Sequence, residues 1–165
     1  AAFVGAENSI LLIGGRDQQT TATRMEVNLA QETFEDEPGE LPVPMDSAFA
    51  FSPPGSNSVF VAGGFENEGR ALLQHELGSD VWDELADAPE NLGKPLGMGS
   101  FDDLIWVAKN DGEFRFYDPQ NDSWLAENLF APPGLLSAVH GPQGTFVILQ
   151  NANGVEIHQL MNLPF

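Results

Sequence analysis

Four aromatic residues recur along this chain at Phe34, Trp82, Trp124 and Phe165, spaced 48, 42 and 41 residues apart. Seven residues before each stands a matching position: Val27, His75, Tyr117 and His158. The four segments read VNLAQETF, HELGSDVW, YDPQNDSW and HQLMNLPF. A fixed period of this length is the signature of a repeat architecture, in which each unit is one small supersecondary structure. This periodicity governs every other inference from the sequence.

Upstream of each segment lies a short apolar run: Ile10–Ile13, Val59–Ala62, Leu104–Val107 and Thr145–Leu149. Continuous runs of four or five residues rich in β-branched side chains predict strands buried on both faces. Further upstream, a second run of small and apolar residues predicts another strand in each unit: Ala1 to Val4, Ser47 to Phe51, Leu96 to Phe101 and Leu136 to Val139. Turn-forming residues separate the runs, as in Asn110-Asp111-Gly112 and Gly141-Pro142-Gln143-Gly144. Such residues supply the backbone angles that hairpins require. No stretch shows a helical period with caps, so the predicted fold class is all-β.

The first two buried strands end in double glycine, Gly14-Gly15 and Gly63-Gly64, and the third and fourth in Ala108-Lys109 and Gln150-Asn151. Double glycine after a buried strand, then an aromatic pair seven residues apart, resembles the Kelch motif. Tyr117-Asp118-Pro119-Gln120-Asn121-Asp122-Ser123-Trp124 is the closest match. Leu41-Pro42-Val43-Pro44-Met45 and Leu85-Ala86-Asp87-Ala88-Pro89 resemble the Leu-Pro-rich outer strand of that family. The resemblance implies a β-propeller of four-stranded antiparallel blades, about three and a half of them in this chain. Expected blade boundaries are about 1–45, 46–94, 95–134 and, for the partial fourth, 135–165. The repeat residues would be Gly14, Gly15, Gly63, Gly64, Phe34, Trp82, Tyr117 and Trp124, and His75 and His158 would fill the Tyr position as wedges between sheets. Each blade buries its face only against a neighbour, so open ends invite association. We therefore expect further blades or another chain to complete the ring, and an oligomer. The opening Ala1-Ala2-Phe3 carries neither Met nor a charged segment, which leads us to expect no signal peptide and a trimmed or longer native chain.

Composition narrows the function. Apolar residues make up 42% of the 165, too many for intrinsic disorder despite the charge. Against 25 acidic residues stand six Lys and Arg, a net charge of −19. That charge repels nucleic acid and favours solubility or cationic partners. No apolar run reaches the ~18–20 residues that span a bilayer, so no membrane insertion is expected. Cysteine is absent, which excludes disulfides and thiolate metal sites.

No catalytic set is recognisable, and we expect neither cofactor nor metal. His75, His140 and His158 do not form a zinc-binding spacing. Copper radical oxidases that resemble Kelch propellers need a Cys-linked Tyr and a second Tyr, and this chain has no Cys and one Tyr. Iron-dependent relatives use Glu-x-x-x-Asp-x-x-x-His; Glu32 and Asp36 begin that spacing, but Glu40 ends it. The acidic pairs and triplets read as solvated turns. Asn121-Asp122-Ser123 is a glycosylation sequon whose Asn also suits the Kelch turn. Arg16 and Arg70 follow the double-glycine strands, where the resemblance places a ligand face, and guanidinium groups there suit carboxylate or phosphate. The expected function is a non-catalytic protein-interaction or scaffolding module. The alternatives are a structural subunit of a ring or filament, and a carbohydrate-binding or carbohydrate-active propeller completed elsewhere.

Overall fold

A computed structural model describes residues 2–4, 9–17, 19–28, 31, 33–35, 41–64, 69–77, 79, 81–141 and 143–160. Within the first 40 residues, side chains are described only at Leu11, Ile13 and Gln31. The chain divides into two compact units, Ala1–Lys94 and Pro95–Phe165.

Unit 1 holds two four-stranded sheets. Sheet 1 runs β1 (Ala2–Val4), β2 (Ser9–Asp17), β3 (Gln19–Asn28) and β4 (Thr33–Glu35). Sheet 2 runs β5 (Phe49–Phe51), β6 (Ser58–Ala62), β7 (Leu72–Glu76) and β8 (Trp82–Glu84). Unit 2 holds sheet 3, with β9 (Gly97–Phe101), β10 (Leu104–Ala108), β11 (Glu113–Asp118) and β12 (Ser123–Phe130). Sheet 4 has three strands, β13 (Leu135–Gly141), β14 (Gly144–Asn151) and β15 (Gly154–Leu160). Every pairing is antiparallel between consecutive strands. The protein is all-β, and its sheets are compatible with a β-propeller-like arrangement. Among the described residues no helix is long and apolar enough to cross a membrane.

The apolar runs form the second strand of each sheet, as their composition predicts. β6 and β10 are buried at four of five positions, on both faces. A core in unit 1 gathers Leu11, Ile13, Leu41, Met45, Val59, Val61, Leu73 and Trp82. A core in unit 2 gathers Trp106, Ala108, Phe114, Phe116, Ala138, Val147 and Leu149.

The outer strands correct one expectation. The Leu-Pro-rich segments 41–45 and 85–89 are not strands. The outer strands are β4 and β8, and the closing aromatics Phe34 and Trp82 lie within them. Proline explains the difference: Pro42, Pro44 and Pro89 lack the N–H that a ladder needs. The chain after Glu84 makes isolated backbone bonds to β7 and the residues before it, among them Leu85 N to Leu72 O at 3.0 Å and Ala88 N to Arg70 O at 2.9 Å. His140 lies in β13.

Candidate interaction surface

The seven-residue spacing is a direct cross-strand pair. Val27 faces Phe34 between β3 and β4, His75 faces Trp82 between β7 and β8, and Tyr117 faces Trp124 between β11 and β12. Directly opposed residues share a face of the sheet, and in sheets 2 and 3 the paired rings meet. His75 stacks on Trp82 with centroids 4.7 Å apart, and Tyr117 tilts against Trp124 at 5.5 Å. His75 is fully buried, and its Nδ1 bonds the carbonyl of Val81 at 3.0 Å. A carbonyl only accepts, so Nδ1 carries the proton. The Tyr117 hydroxyl donates to Asp122 Oδ1 at 2.6 Å. Burial and that carboxylate both push the phenol above its ordinary value of 10.0.

The double glycines meet another backbone segment. A Cβ at Gly14 would overlap the Met45 carbonyl oxygen, and one at Gly64 would press on that of Asp46. Both glycines also hold positive φ, +62° and +103°, which L side chains rarely adopt. Gly15 N donates to Met45 O and Gly64 N to Gly93 O, each at 2.9 Å.

Sheet 3 ends its buried strand by different chemistry. Lys109, 6% exposed, reaches Glu113 Oε2 at 2.5 Å and Asp111 Oδ2 at 3.2 Å. Arg115 Nε lies 3.1 Å from the other Glu113 oxygen, to which Asn128 Nδ2 also donates. The two carboxylates raise Lys109 above its ordinary value against the opposing effect of burial. A lysine held cationic in this way is a structural ion pair and a poor nucleophile. The sequence signal was the acidic residues two and four positions after Lys109, inside one hairpin.

Sheets 3 and 4 approach closely through β9. A Cβ at Gly97 would overlap the Ala138 carbonyl, and one at Gly99 would overlap the Trp106 indole and His140 Cβ. Glycines at alternate positions of one strand mark such an approach. The Trp106 ring lies 5.4 Å from Phe114 and 6.5 Å from His140, whose Nδ1 shares a 3.0 Å hydrogen bond with Thr145 Oγ1. Burial lowers the His140 pKa from its ordinary 6.5. A cavity of about 10 Å³ lies among Phe101, Trp106, Phe114, Thr145 and Leu160. That is about one water molecule in size, far below a metabolite site.

Of the expected ligand-face residues, Arg70 is half-buried and donates from Nε to the Ala88 carbonyl at 2.6 Å. Arg16 pairs through its backbone with Thr20; its side chain, like that of Phe34, lies outside the described residues. Phe165 lies outside them entirely. His158, expected as a buried wedge, is instead exposed on β15, with Nε2 2.9 Å from Glu156 Oε2. Among the described residues no three His, Asp or Glu side chains form a group able to hold a metal ion.

The outer face of sheet 4 is an uncovered apolar feature of unit 2. Thr145, Val147 and Leu149 of β14 are buried, and Phe146 and Ile148 between them point the other way. Phe146 is opposed by Val139 and Gln159, and Ile148 by Ser137 and Ile157. Val155 opposes Gln150 on the same face. Val139, Val155 and Ile157 are 45%, 63% and 70% exposed. Every residue of β15 up to Gln159 is exposed, and it is the edge strand of its sheet among the described residues. The sequence showed β14 as an apolar run but carried no signal for which face stays open. In comparisons with known proteins, no family model and no curated protein matches this chain.

Proposed function

We propose that this chain is a non-catalytic protein-interaction module built from Kelch-like propeller blades. The paired rings at His75–Trp82 and Tyr117–Trp124, and the double glycines seated against Met45 and Asp46, support the Kelch reading. The observation that carries the function is the outer face of sheet 4. Val139, Val155 and Ile157 stand exposed beside Phe146 and Ile148, on a sheet whose other face is packed at Ala138, Val147 and Leu149. Contiguous exposed apolar side chains rimmed by polar residues mark interaction sites. Lys109–Glu113 and Tyr117–Asp122 are engaged as structural pairs.

The test is binding with a face-specific variant. Ile157→Lys places a charge at the centre of the exposed face and disturbs no buried contact. Wild type should retain a partner that the folded variant loses, and hydrogen exchange should slow in β14 and β15 of the complex. Equal retention by both proteins, or protection confined to unit 1, would remove this reading.

A further inference from the structure

We propose that the occupant of the β15 edge is a second copy of this chain, its β15 paired antiparallel with the first about a two-fold axis at Ile157. This rests on reading sheet 4 as the binding surface, and it names the partner. An edge strand presents unpaired N–H and C=O groups along one side, ready to template another strand. Proteins guard such edges with proline, bulges or dense charge. β15 is regular over Gly154–Leu160, contains no proline, and pairs with β14 without a register shift.

The sequence of β15 is self-complementary. A two-fold axis at Ile157 sets Ile157 against Ile157 of the second copy. It sets Glu156 against the second copy's His158, and His158 against the second copy's Glu156. Val155 then faces Gln159, and Gly154 faces Leu160. Opposed residues share a face, so the carboxylate and imidazole meet on one side and the isoleucines on the other. Moving the axis to Glu156 would oppose two carboxylates, and moving it to His158 would oppose two imidazoles. The register is thereby selected by the repulsion of opposed carboxylates as well as by apolar contact. The same pairing extends the row of Val139, Phe146, Ile148 and Ile157 across the axis into the second copy. An interface of this kind is isologous and closes at two chains.

Net charge distinguishes this partner from a basic peptide, the other occupant an acidic protein would attract. Two copies of charge −19 repel at long range. Salt screens that repulsion over a Debye length of about 10 Å at 0.1 M. Self-association should therefore tighten as salt rises from low concentration, whereas a basic peptide would be released.

The experiment is sedimentation equilibrium of the full chain across concentration and salt, with secondary structure checked by circular dichroism for each variant. Wild type should approach twice the 17.8 kDa chain mass, more readily at higher salt. Glu156→Lys and His158→Glu should each weaken the dimer by about tenfold or more, a size set by two lost cross-strand pairs. Mixing those two variants should restore a dimer, because Lys then faces Glu and His faces Glu. Ile157→Cys should form a disulfide-linked dimer in this otherwise cysteine-free chain, and Val81→Cys, exposed in unit 1, should not. A wild type that stays monomeric at every salt and concentration, or variants that dimerise unchanged, would overturn the second-copy assignment. If the chain is monomeric and Ile157→Lys still loses a different partner, the binding surface stands and only its occupant is wrong. If Ile157→Lys loses nothing, the surface reading falls as well.

Discussion

Sheets 3 and 4 belong to one compact unit and are built from similar strands, yet their centres differ. In β10, LIWVA, four of five residues are buried on alternating faces, whereas in β14 burial alternates with half-exposure. The next strand sharpens the contrast. β11 is buried at four of six positions, and β15 is exposed at six of seven. An apolar run dictates a strand, but the cover on each face decides what that strand contributes. Two-sided cover turns apolar residues into stability, and one-sided cover leaves them for association.

The comparison breaks most readily at its two extremes. Trp106 is 1% exposed and central to the unit 2 core. Trp106→Ala should cost about 3–5 kcal/mol in urea unfolding, as large-to-small core substitutions do. Ile157→Ala, at 70% exposure, should stay within about 0.5 kcal/mol in the monomer. Similar costs for the two would mean that the outer face of sheet 4 is packed in solution.

Glu113→Ala comes next. It removes the carboxylate nearest the buried Lys109, and the acceptor shared by Arg115 and Asn128. Breaking a buried pair from one side costs roughly 3 kcal/mol. The equivalent exposed pair in sheet 4 is Glu156–His158, both about half exposed. Removing His158 should change monomer stability by less than about 0.5 kcal/mol. A large loss from His158→Ala would place it among the buried wedges after all.

Much of this contrast was legible before any coordinate. Strand positions followed from runs of Val, Ile, Leu and Phe, and the seven-residue spacing encoded the cross-strand pairs at Phe34, Trp82 and Trp124. Burial within a pair was not legible. His75 and His158 occupy the same repeat position and both begin His-x-Leu, but His75 is covered by Trp82, and β15 forms an open edge. A repeat position specifies a neighbour along the strand, and solvent cover comes from a different part of the chain. The ion pair at Lys109 was signalled only by the spacing of Asp111 and Glu113. Its position departs from double glycine, and the compensating Glu113 lies on the far side of a hairpin. Gly97 and Gly99 stood in a predicted strand, where their alternation signalled the close packing of β13 without naming it.

Tyr117 offers a smaller test on the sheet 3 side. Tyr117→Phe removes the bond to Asp122, a residue held at φ +45°, and should cost about 1 kcal/mol. Because the chain has one tyrosine, tyrosinate absorbance reports this site alone. The phenol is held above its ordinary value in the folded state, so its stabilisation is complete below pH 10 and fades as pH rises further. Tyrosinate should therefore appear only with unfolding, and a signal near pH 10 from folded protein would show the ring exposed as the residues of β15 are.

The smallest expected effect lies where the two sheets meet. His140 of β13 shares its hydrogen bond with Thr145 of β14 and faces the Trp106 indole, and burial lowers its pKa. The unfolded chain binds a proton there near pH 6.5. The folded chain resists it, so stability is full above that pH and declines as pH falls through 6.5 toward the lower folded value. His158, out on the edge strand, has no such cover. Replacing His140 with Gln should flatten the stability profile between pH 7 and pH 5. An unchanged profile in the His140→Gln variant would show that this imidazole is solvated, and the distinction between the packed and the open side of sheet 4 would then be lost.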